Sequence, residues 1–161
     1  MKMHTIKTYN YNELPESMKE KVIANYNYIN VDDEWWDHIE YELKEMGIKL
    51  ISFDEYKCEL EFINCGHEIA DYIIKNHGEK CDTHKDASLY LQNRDEIVDN
   101  SEDDYEMDEQ LDELRDEFKN DLESDYLMIF TGQYEYLTSE DAISETLVVN
   151  EYDFTENGCI F

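Results

Sequence analysis

"IKLISFDEYKCELEFI", residues 48–63, decides the fold class. It holds two short strand-like runs, "IKLISF" and "KCELEFI". In the second, Cys58, Leu60 and Phe62 alternate with Lys57, Glu59 and Glu61, so one sheet face is buried and the other is wet. Helical patterns stand on both sides of this pair. Strand and helix runs without regular alternation predict an α+β fold, a small antiparallel sheet with about five to six helices against one face. We expect a single domain over residues 1–161, with its acidic helical part at roughly 95–137.

Working outward from that pair, "MHTIKTYNY" is rich in β-branched and aromatic residues and reads as a first strand. A helix follows over "LPESMKEKVIANYNYI", with Pro15 at its first position and Met18, Val22, Tyr26 and Ile29 on one face. Asp32 is the expected N-cap of a second helix, on which Trp36, Ile39, Leu43 and Met46 recur at helical spacing. Gly47 then ends it at C′. Downstream, "HEIADYIIKNHG" reads as a short helix closed by Gly78. "THKDASLYLQNRDEIV" is another, capped from Asp82 or Thr83. After the break "DNSEDD" comes a helix whose stripe is Leu111, Leu114, Phe118, Leu122, Tyr126 and Ile129. "TSEDAISETLVV" starts a last helix from Thr138 or Ser139. In "YDFTENGCIF", Asn157-Gly158 signals a C-terminal β-hairpin with a type I′ turn.

The 161 residues are 41% hydrophobic and 13% aromatic, with 1 proline and 5 glycines, which suits a folded core rather than an acidic tail. The net charge of −29 excludes nucleic acid and anionic membrane as direct partners, since both are polyanions. It attracts basic protein surfaces or cations. Residues 81–161 carry −21 of that charge, from 25 acids and 4 bases. Cys58, Cys65, Cys81 and Cys159 form no CxxC pair, and "MKMHTIKTYNY" has no apolar leader core, so a cytoplasmic, reduced protein is expected. The longest apolar run, "YLMIF", is too short to span a membrane.

The charge concentrates in "MDEQLDELRDEFKND", residues 107–121. Acidic pairs recur every four residues, Asp108-Glu109, Asp112-Glu113 and Asp116-Glu117, followed by Asp121. Only Arg115 and Lys119 answer them. Four residues advance about 6 Å along a helix, so the run carries about one charge every 3 Å, against one per roughly 1.7 Å of duplex DNA. Asp95 and Asp99, with Asp103 and Asp104, could add to it from a neighbouring element. Like charges at i,i+4 cost about 0.2–0.5 kcal/mol each, and lysine would remove that cost. Electrostatic mimicry of a nucleic-acid backbone is one reading, and a merely solvated acidic face is the other. Tyr134, Tyr136 and Tyr152 lie among acids, a pairing that suits a protein-binding surface.

Other chemistries fit less well. Cys65, His67, His77, Cys81 and His84 offer zinc ligands within twenty residues, but H-x3-C-x2-H matches no strong zinc signature. "DNSEDDYEMDEQ" lacks the glycine and the spaced oxygens of a calcium loop. There is no nucleophile elbow, phosphate loop or H-E-x-x-H motif. Acids, tryptophans and His38 crowd together in "VDDEWWDHIE", which a helix start explains. Neither an enzyme nor a cofactor is expected.

Three stretches, "ELPESMKEKVIANYNYINVDDEWWDHIEYELKEMGIKLISFD", "NHGEKCDTHKDA" and "YEYLTSEDAISETLVVNEYDFTENG", resemble a family of small acidic phage and prophage proteins of low-GC bacteria. That family is described as similar to the N-terminal part of an antitoxin from a toxin–antitoxin stability system. The resemblance implies a phage accessory protein made inside an infected bacterium. By charge and size alone, the chain is also similar to phage anti-restriction and anti-CRISPR inhibitors that imitate DNA. The expected partner is a basic nucleic-acid-binding protein of the host, contacted through Asp95, Asp99, Asp103, Asp104, Asp108, Glu109, Asp112, Glu113, Asp116, Glu117 and Asp121. An antitoxin-like module that neutralises a basic toxin is the alternative. A metal protein or enzyme using the Cys65–His84 cluster is a further one.

Overall fold

A computed structural model describes residues 7–161. The expected first strand lies partly outside them, and its described portion is β1, Thr8–Asn10. The fold is α+β, with six α-helices and two small antiparallel sheets of two strands each among the described residues. Its contacts gather into two compact units.

One unit comprises residues up to Trp35 together with Gly132–Phe161. In it β1 pairs with β4, Asp153–Thr155, placing Tyr9 opposite Phe154. α1 spans Glu16–Asn25 and α6 spans Glu140–Val149. Their buried faces, Val22 on α1 and Ile143 and Leu147 on α6, close with Tyr11, Leu14 and Phe154 into one core. Pro15 is the N-cap of α1, one position earlier than expected, and Ser139 caps α6 by accepting from the Ala142 N–H (3.3 Å). α1 stops at Asn25, and the hydroxyl of its C-cap Tyr26 accepts the Ile160 N–H (2.9 Å).

The C-terminal hairpin forms, with Phe154 bridging Ile160. Its turn is not type I′. Gly158 donates to the Thr155 carbonyl (2.9 Å) and lies at φ +78°, while Asn157 stays at negative φ. That is the three-residue loop, a type I turn closed by a left-handed glycine.

The other unit is Trp36–Thr131. Its α2, Asp37–Glu45, begins four residues later than an Asp32 cap would place it. The two tryptophans explain the shift. Trp35 packs on Tyr134 (5.7 Å) within the first unit, and Trp36 on Phe53 (5.4 Å) within the second. Successive residues of one helix point about 100° apart, so a helix through both would hold them to one register. Gly47 ends α2 at φ +77°, as expected, and its carbonyl accepts the Ile63 and Asn64 N–H groups (2.9 and 3.0 Å). β2, Ile48–Phe53, pairs with β3, Cys58–Phe62, with a bulge between Leu50 and Ser52. The alternation holds: Cys58, Leu60 and Phe62 are buried.

Three helices complete the unit: α3, Gly66–Asn76; α4, Asp82–Asn100; and the first 28 residues of α5, Asp104–Leu137. Cys81, not Asp82 or Thr83, is the N-cap of α4. At 34 residues α5 is about 50 Å long. Tyr90 of α4 stacks on Phe118 of α5 (4.5 Å), and Phe62 of β3 meets the same ring edge-on (5.8 Å).

The buried stripe of α5 departs from expectation at both ends. Leu114, Phe118, Leu122, Tyr126 and Phe130 are buried, Leu111 is half-buried, and Ile129 is 41% exposed. A strict spacing of four residues advances about 40° per step around the helix. The buried line therefore turns from Tyr90 and Phe62 at Phe118 to Phe53 at Phe130, whose ring stacks on it at 4.2 Å.

Candidate acidic interface

α5 carries twelve acids and two bases. Asp108, Glu109, Asp112, Glu113, Asp116 and Glu117 are all exposed. The pairing and the four-residue drift together spread them over about half the helix circumference. None of the six forms an ion pair with a described residue.

The two cations of α5 do not answer this face, contrary to the reading from sequence. The Arg115 guanidinium lies over the Phe62 ring, 5.7 Å from its centre. Lys119 pairs with Glu123 (2.7 Å), and Glu123 also accepts the Leu60 N–H from β3 (2.9 Å). Both cations thus serve the packing of α5 on the sheet.

The remaining expected residues divide by role. Asp103 caps α5: its Oδ1 accepts the Tyr105 and Glu106 N–H groups (2.8 and 3.1 Å). Asp104 opens the helix and is exposed, as is Asp99 near the end of α4. Asp95 lies 3.5 Å from Arg94. Asp121 belongs to a different group, since its carboxyl is raised above the usual range by burial, then by Asp86 and Glu117.

Between the C-terminal part of α4 and the N-terminal part of α5, beside the turn at residues 101–103, lies a cleft of about 730 Å³. Glu96, Glu102, Glu106, Glu113 and Glu117 line it above Ile97 and Leu114. Glu106 is a contributor that sequence reasoning missed. It lies two residues before the paired repeat, and the cleft with α4 that it lines is not visible in the local repeat.

Tyr134 and Tyr136 are about half exposed, whereas Tyr152 packs at the edge of the first unit's core. The histidines and cysteines considered for zinc do not converge: among the described residues, no three His, Cys, Asp or Glu side chains are placed to hold a metal ion. Cys65 and Cys81 are exposed N-caps. His84 stands 3.4 Å from the Ser88 hydroxyl. His77 instead joins four elements of its unit. Its Nδ1 is 2.8 Å from Thr83 Oγ1, and its Nε2 is 3.0 Å from Glu42 Oε1, which the Tyr126 hydroxyl also reaches (3.3 Å). The bond from His77 holds the Glu42 carboxyl below its ordinary range. Thr83 is only 4% exposed, whereas the Glu42 side chain at the other end of this chain of contacts is 47% exposed.

Comparison with protein-family models, curated proteins and solved structures finds no match to the chain. No helix among the described residues is long and apolar enough to cross a membrane.

Proposed function

We propose that this chain is a phage-encoded, non-enzymatic inhibitor of a nucleic-acid-binding host defence protein, a CRISPR–Cas effector or a restriction enzyme, engaged through acidic mimicry of a nucleic acid. One observation carries this reading. The six carboxylates Asp108 to Glu117 are exposed and unpaired among the described residues, while both cations of their helix are engaged elsewhere. A solvated helix face selected only for stability would interleave lysine and gain the i,i+4 attraction. This face forgoes it over three successive repeats. Rigidity adds to the case, because α5 is anchored by the buried residues Leu114, Phe118 and Leu122, so the charges are held in a fixed array rather than on a loose tail. In the cleft, Glu102 and Glu106 extend the array to the turn, and Glu96 extends it onto α4.

The test is a variant with Asp108, Glu109, Asp112, Glu113, Asp116 and Glu117 changed to their amides. The amides keep size and hydrogen bonding while removing six charges. Wild-type protein restores phage plating on a defence-positive host. The variant, at equal expression, loses at least tenfold of that protection. Its association with the basic target slows, and the steep salt dependence of wild-type binding flattens, because steering depends on the summed field. Full protection by the variant overturns the mimicry reading. It would point instead to a contact made through apolar side chains, as an antitoxin-like module would use.

A further inference from the structure

We propose that Asp86 of α4 and Asp125 of α5 share one proton across the seam between the two helices, making that seam a pH-sensitive latch. The helices run antiparallel, as their contacts show: Tyr90 stacks on Phe118, and farther along α4 Ile97 meets the cleft beside Leu114. At the opposite end, Asp82 and Asp86 lie within about two turns before Tyr90 on α4, and Asp121 and Asp125 within about two turns beyond Phe118 on α5, so the antiparallel packing brings both pairs to one stretch of the seam. Asp125 is 7% exposed, and its Oδ2 is buried with no hydrogen-bond partner.

No cation pairs with Asp125 among the described residues. Lys85, the nearest base on α4, pairs with Asp82 (2.6 Å). On α5 the neighbouring Tyr126 hydroxyl turns to Glu42 of α2, which His77 also holds, and Tyr72 of α3 lies beyond it. The Asp86 carboxyl acts on Asp125 both through its charge and as a hydrogen-bond partner for the protonated form. Two carboxylates repel, whereas a carboxylic acid and a carboxylate form a short, charge-assisted O–H···O⁻ bond. A single proton therefore satisfies the buried oxygen and removes the repulsion together. Burial first, and then Asp86, Asp82 and Asp121, push the Asp125 carboxyl up to about 6. Protonation thus closes the seam below that pH, and its loss opens a repulsive pair above it.

Carboxyl carbon-13 NMR of the full chain, labelled at aspartate, tests this. One aspartate carboxyl in the wild type titrates near 6. In Asp86→Asn the amide donates to Asp125, and that midpoint falls by at least about one unit. Asp82→Asn, which leaves the pair intact, moves it by no more than a few tenths. Absence of any aspartate midpoint above about 5 in the wild type overturns the proposal, whatever the variants do. A midpoint unchanged in Asp86→Asn also overturns it, since burial alone would then explain the rise. So does a midpoint driven down by millimolar calcium or magnesium, which would assign the cluster to a metal.

Discussion

Two glycines of this chain have opposite physical roles, and substitution separates them. Gly132 lies inside α5, and a Cβ built there meets nothing within 4 Å. Glycine in a helix interior costs about 0.5–1 kcal/mol relative to alanine. Gly132→Ala therefore stabilises the fold by about that amount, read as a higher urea midpoint at unchanged slope. Gly47 is the reverse case. Its φ of +77° excludes most side chains, and a Cβ would stand 2.2 Å from Asn64 Cγ. Gly47→Ala lowers stability by at least about 1–2 kcal/mol in the same measurement. The capping role of Gly47 was legible in the sequence because it depends on the local rule that left-handed helix ends favour glycine. The clash with Asn64 was not, because it joins residues seventeen apart.

At the scale of elements, helices and strands were readable wherever a single period ran unbroken. β2 matches "IKLISF" residue for residue, and α6 begins at its predicted cap. Reading failed where one helix serves successive partners. The stripe of α5 turns as it passes from Tyr90 to Phe53, so Phe130 is buried and Ile129 is not. The consequence is measurable. Ile129→Asp leaves stability within about 0.5 kcal/mol, as an exposed substitution does. Phe118→Ala, which removes a ring packed between Tyr90 and Phe62, costs about 3–5 kcal/mol. Phe118→Asp leaves the chain unfolded in a thermal melt, since a charge in that core has no partner. Equal effects of Ile129→Asp and Phe118→Asp would mean that the helix presents a different face. The acidic run followed the same logic. Its repeat was visible because it is local, while the turning of Arg115 onto Phe62 and of Lys119 onto Glu123 depends on the sheet and was not.

At the scale of the whole molecule, charge sets how stability varies with pH, and two carboxyls with opposite shifts shape it. Glu42 sits below its ordinary range because of His77, so the native state releases its proton more readily than the unfolded chain. Its contribution is present above the unfolded value of about 4.5 and is lost as pH falls through the lower native value. Asp125 is raised from 3.8 to about 6, so between those values the native state holds the extra proton and stability falls as pH rises. The net charge of −29 acts in the same direction as Asp125, because self-repulsion of the folded chain grows as carboxyls ionise. Stability therefore peaks where the two windows meet, at about pH 4, and declines below it through Glu42 and above it through Asp125. Asp125→Asn removes the alkaline decline: an amide donates to Asp86 at every pH and carries no charge to bury. At about pH 8 the variant is more stable than wild type by an amount on the order of 1–2 kcal/mol, and near pH 4 the difference vanishes. Urea unfolding from pH 4 to 8 measures both curves. Parallel curves for wild type and Asp125→Asn would show that the buried carboxyl does not govern the alkaline limb, which would then belong to the surface charge alone.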